Sequence, residues 1–242
     1  MDINSELLIL KSIKYGETSL IVHAFSEVFG KIAIMVKGVR KEKKGTASIY
    51  HPGNYLLCQL NYNQQRNFQY IKEAKLQNYF WEIPTNIPKN CILIFCIEVL
   101  YVILQEADVQ EDLYFFMQDF FKNLDKEENN KIANYPFYFL MHIAQFLGYK
   151  IDSYSYNLLQ PYFNIHTASF EKYPSSIIPV IDRENSALLA KIADSNLEEL
   201  KKLKITSEER RYLQDIILDY LQIHVPYFRK IHSLDVLRAI LS

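Results

Sequence analysis

Six cations, Lys31, Lys37, Arg40, Lys41, Lys43 and Lys44, fall within residues 31–44, and Glu42 is the one carboxylate among them. The chemistry such a run can do is to hold a polyanion, because phosphate contacts supply most of the sequence-independent affinity for nucleic acid. Phe25 and His23 share an alternating face that the pattern extends to Lys31, Met35 and Lys37, setting an aromatic ring beside ammonium groups. Bases of a single strand stack on such rings while the ammonium groups track its phosphates. The residues alone leave a second reading open for each feature. A short charge run also suits a solvated loop, and Phe25 also suits a packed strand end or a contact with helices.

Other chemistry finds no motif. With six glycines, neither a Gly-x-x-x-x-Gly-Lys loop nor a Gly-x-Gly-x-x-Gly turn can be written, which disfavours a nucleotide-phosphate cradle and ATP hydrolysis. His23, His51, His142, His166, His224 and His232 are scattered without metal-ligand or nucleophile spacing. Glu198 with Glu199, and Glu208 with Glu209, are adjacent on expected helices and so point to different sides, a poor geometry for shared acid–base work. Cys58, Cys91 and Cys96 are odd in number and contain no Cys-x-x-Cys pair, so neither a disulfide framework nor a zinc finger can be drawn. The expectation is a protein that is not an enzyme, with no catalytic residue, cofactor or metal. The first residues lack the basic and apolar segments of a signal peptide, and the apolar run at 92–104 is short and broken by Glu98. That reads as a soluble protein of a reducing compartment.

The cations need elements to position them. Five of the six glycines fall by residue 53, so turns are dense early and rare later. Residues 7–13, 19–26, 31–37, 55–62 and 68–76 read as strands, with turns at Tyr15-Gly16-Glu17-Thr18, Phe29-Gly30 and residues 63–67. Five strands in about eighty residues suit a small closed β-barrel of the oligonucleotide-binding (OB) type, with an SH3-like barrel as the other five-stranded solution. Trp81-Glu82-Ile83-Pro84 and Pro88 mark the boundary. Beyond it the period becomes helical: an almost wholly apolar helix at 90–104, amphipathic ones at 112–124 and from Pro136 to Gly148, and another at 183–193. Thr206 and Glu209 form a capping box for a long helix ending at Pro226, and a last helix begins near Ser233. Between them, 149–179 is irregular, with a small hairpin at 162–165 and 168–170. The predicted fold is α+β: an OB-type barrel at 1–82, then an all-helical domain at 83–242. Charge follows that division. Residues 1–82 hold 11 Lys and Arg against 7 Asp and Glu, whereas 83–242 hold 16 against 21, within a net charge of −1. Any polyanion surface therefore belongs to the first part.

An ordered set of short motifs resembles the RecO family of bacterial recombination mediators. It comprises Tyr15-Gly16-Glu17-Thr18-Ser19, Phe25-Ser26 with Gly30, Lys37-Gly38-Val39-Arg40-Lys41, His51-Pro52, Phe146-Leu147-Gly148-Tyr149 and Ser233-Leu234-Asp235-Val236-Leu237. The resemblance implies a cytoplasmic, nucleoid-associated protein with no membrane partner, which binds single- and double-stranded DNA. It further implies annealing of strands covered by single-stranded-DNA-binding protein, action with RecR, and indirect help in loading RecA. The family's basic surface maps onto Lys37, Arg40 and Lys41, continued by Lys43 and Lys44, and the acidic tail of the single-strand-binding protein is expected on the helical domain. Many relatives carry four zinc-binding cysteines after the Leu-Gly-Tyr segment; here no cysteine follows Cys96, so no zinc is expected. A protein-interaction adaptor and an RNA-binding barrel are the alternatives that the residues leave open.

Overall fold

In the computed structural model, which describes residues 2–41, 46–77, 79–177 and 179–241, the period-two segments close into a barrel. Its strands are β1 (Asp2–Tyr15), β2 (Ser19–Ser26), β3 (Gly30–Val36), β4 (Tyr55–Asn61) and β5 (Gln69–Gln77), ordered β1-β2-β3-β5-β4. β1 is longer than its alternation suggests, because it serves two neighbours. Asp2 to Leu8 pair with β4, Leu8 to Tyr15 pair with β2, and the register shifts between Ile9 and Lys11 where the strand turns from one to the other. Its polar start is satisfied by distant partners: the Ser5 hydroxyl meets that of Ser26 at 2.8 Å. Inward side chains such as Leu7, Ile9, Val22, Ile34, Leu56 and Leu60 are buried and fill the barrel. Closure comes from a short parallel contact between β3 and β5, Ile34 opposite Gln69 and Met35 opposite Tyr70.

Two helices pack on this barrel. Asn86 accepts the Lys89 backbone N–H, and Pro88 occupies the first turn, so α1 (Ile87–Ile103) starts three residues before the expected 90. α2 (Glu111–Lys126) then contributes Tyr114 and Gln118, which donate to the Glu6 carboxylate at 2.8 and 3.0 Å, as does Tyr79 at 2.6 Å. Burial, reinforced by the hydrogen bond to Glu6, pushes the Tyr79 hydroxyl up to about 12, so it stays a donor. The link from β5 to α1 is pinned by Asp125, whose carboxylate accepts the backbone N–H groups of Trp81, Glu82 and Ile83 at 2.8–2.9 Å. Fully buried Lys89 donates to Glu82 at 2.5 Å and to the Asp125 carbonyl at 2.7 Å.

The chain forms two compact units that part between Lys126 and Glu127, so α1 and α2 belong with the barrel. The second unit contains α3 (Tyr135–Phe146), a hairpin of β6 (Tyr162–Asn164) and β7 (Ser169–Glu171), α4 (Arg183–Asp194), α5 (Leu197–Lys202), α6 (Ser207–His224) and α7 (Ser233–Ile240). The Thr206–Glu209 capping box forms as the spacing predicts. α5 was not anticipated; at six residues it is too short for a period to show, and an Asn196–Glu199 box starts it. Phe163, Phe170 and Tyr220 pack the hairpin onto α6. Among the described residues no group of three or more His, Cys, Asp or Glu is placed to hold a metal.

Candidate nucleic-acid interface

The outer face of β1, β2 and β3 has two halves. The sequence correctly puts His23, Phe25, Lys31, Met35 and Lys37 on one face, but α1 and α2 cover the half that carries the first three. Phe25 is 0% exposed and meets Tyr114 edge-on at 5.5 Å, so no base can reach its ring. Lys31 is likewise withdrawn. Its ammonium donates to the carbonyls of Tyr101 and Leu104 at 2.8 and 3.0 Å and lies 4.5 Å from the centre of the Tyr101 ring. It thereby caps the negative end of α1, where a cation is favoured. The expectation that Phe25 and Lys31 belong to a binding surface is corrected on these contacts.

The other half is open. Ile13, Ile21, Met35 and Tyr70 stand opposite one another in register across β1, β2, β3 and β5 and form a partly exposed apolar row. Lys37 leaves β3 exposed, with its ammonium 4.8 Å from the centre of the Tyr70 ring. The Arg66 guanidinium is 5.7 Å from the same centre and donates to Asn61 at 2.9 Å. Lys37, Arg66, Asn67, Phe68 and Tyr70 line a shallow depression of about 620 Å³. Arg40 is held against the β1–β2 turn: its backbone N–H donates to Thr18 at 2.9 Å and one guanidinium N–H to Gly16 at 3.0 Å. Arg40 and Lys41 are both exposed. Among the described residues, none of Lys37, Arg40, Lys41 and Arg66 is ion-paired. Lys72, nearby on β5, is paired with Asp2 at 2.5 Å. Lys43 and Lys44 lie outside the described residues.

Arg66, Phe68 and Tyr70 were missed by the sequence reading. The signal available was a polar turn between two strands carrying one arginine and two aromatics, but only the β3–β5 pairing shows that it meets Lys37. The arrangement joins exposed cations to a partly exposed ring, which is suited to phosphates and bases together.

A closed five-stranded barrel followed by helices, with its face open beside a cationic end, defines an OB-type architecture extended by a helical region. Within that class the chain belongs to the RecO family. Residues 1–80 match the family described as Recombination protein O N terminal, and residues 84–234 match Recombination protein O C terminal. The chain is 29% identical over 242 residues to a DNA repair protein RecO of Christiangramia forsetii, covering 99% of each chain. It is 27% identical over 244 residues to that of Flavobacterium johnsoniae, covering all of both, and 28% identical over 237 residues to that of Bacteroides fragilis, covering 96% of each. Among the described residues, no helix is long and apolar enough to cross a membrane.

Proposed function

We infer that this protein is a non-enzymatic DNA repair mediator whose barrel, residues 1–82, neutralises the DNA backbone while residues 83–242 recruit protein partners. One observation carries the reading: Lys37, Arg40, Lys41 and Arg66 have no carboxylate partner among the described residues, in a chain of net charge −1. Unpaired, solvent-facing cations release counterions when phosphates bind, and screening two polyanions lowers the repulsion between complementary strands. Family membership, and relatives named for DNA repair, support a role in annealing strands coated by single-stranded-DNA-binding protein and, with RecR, in loading RecA in the bacterial cytoplasm. Replacing Lys37, Arg40 and Lys41 together by alanine should weaken binding to all sequences and flatten the dependence of log K on log salt by about one unit per lost contact. Annealing of precoated complementary strands should fall with it. Unchanged binding by the folded triple variant would exclude this surface.

A further inference from the structure

The four cations account for attraction to any phosphate backbone, paired or unpaired. They do not account for Tyr70. This ring ends the apolar row of Ile13, Ile21 and Met35 on the half of the outer face that α1 and α2 leave open. Two cations on flexible stems lie within 6 Å of its centre, Lys37 at 4.8 Å and Arg66 at 5.7 Å. A nucleotide offers both things this cluster can use, a flat π-surface for the ring and an anionic phosphate for the cations. A duplex keeps its base faces stacked inside, so it can offer only the phosphate.

We propose that Tyr70 is a base-stacking platform that gives the barrel its preference for unpaired strands, with Lys37 and Arg66 moving from the ring to the phosphates flanking the stacked base. This rests on the barrel being the DNA-binding surface and adds what that surface discriminates. A consequence follows for annealing: once a strand finds its complement its bases leave the ring, and the site keeps only the phosphate contacts that any duplex makes. Release of the product is thus built into its formation.

The test uses the intact 242-residue chain with Tyr70→Ala, Tyr70→Phe and Tyr70→Leu, measuring affinity for a labelled oligonucleotide and for its duplex across a salt series. Tyr70→Ala should weaken single-strand binding about tenfold, the order of one base–aromatic stack, with duplex affinity and the salt slope unchanged. Tyr70→Phe should restore binding, Tyr70→Leu should not, and quenching of a fluorescent base analogue in the strand should follow the same order. Equal losses on single strand and duplex, or full binding by Tyr70→Leu, would overturn the proposal. Should alanine unfold the barrel, the phenylalanine and leucine variants decide. If Tyr70→Ala binds normally while the Lys37, Arg40, Lys41 triple variant does not, stacking fails and the DNA-binding surface stands; if neither weakens binding, both fail.

Discussion

Lys31 and Lys37 stand at the two ends of β3 and do different work, because one ammonium is spent on backbone carbonyls of α1 and the other faces solvent. Lys31→Met should lower stability by roughly 1–2 kcal/mol through the lost cap and leave the salt slope of DNA binding untouched. Lys37→Met should do the reverse, reducing the slope by about one without moving the melting temperature. Urea melts beside salt titrations separate the two. His23, packed edge-on against Tyr101 at 5.4 Å, adds a pH dependence. Burial, then the positive charges of Lys31 and Lys11, hold its imidazolium form below the usual 6.5, with Glu106 opposing. The unfolded chain therefore takes up the proton first, and the stability that neutral His23 confers is present above pH 6.5 and lost as pH falls below it. Melting temperatures measured on both sides of that value should diverge less in His23→Gln than in the wild type. At Gly30, φ is +65° and an added Cβ would sit 2.1 Å from the Asp108 carbonyl oxygen, so alanine should destabilise by more than about 1 kcal/mol.

Asp125 acts on an element rather than on itself. Three consecutive backbone donors at 81–83 converge on its carboxylate, so Asp125→Ala strands all of them and should cost roughly 3 kcal/mol in a denaturant titration. Nothing at 81–83 or near Asp125 betrays this pairing in the sequence, which spans more than forty residues. What was legible was local. Alternation gave β2 its full span, the Thr206–Glu209 spacing gave α6 its start, and the hairpin at 162–171 was placed within a residue or two. What was hidden depends on distant partners: the polar start of β1 is a strand because residues 2–8 pair with β4, with Ser26, Tyr79, Tyr114 and Gln118 satisfying its Ser5 and Glu6 side chains. The site divides in the same way. The exposed cations were found because charge is visible in a sequence; the burial of Phe25 and the meeting of Tyr70 with Lys37 were not, because each is decided by a helix or strand far along the chain.

Across the whole molecule, the seam between the barrel and α1 and α2 is lined by Phe25, Tyr55 and Tyr114, each at most 1% exposed. A chain ending at residue 82 would bare Phe25 and Tyr55, whereas one ending at 126 keeps them covered. The longer fragment should melt cooperatively and run as a single species on size exclusion, and the shorter should show no cooperative transition. The barrel's own closure is uneven. β2 and β3 are joined by seven registered residue pairs, β3 and β5 by two, and those two include Met35 and Tyr70. The sparsest stitch in the cylinder thus lies under the patch where a strand would settle. Amides at that join should exchange with deuterium sooner than those of the β2–β3 ladder, and a bound oligonucleotide, resting on both sides of the join, should slow them, so that cargo would tighten the vessel that carries it.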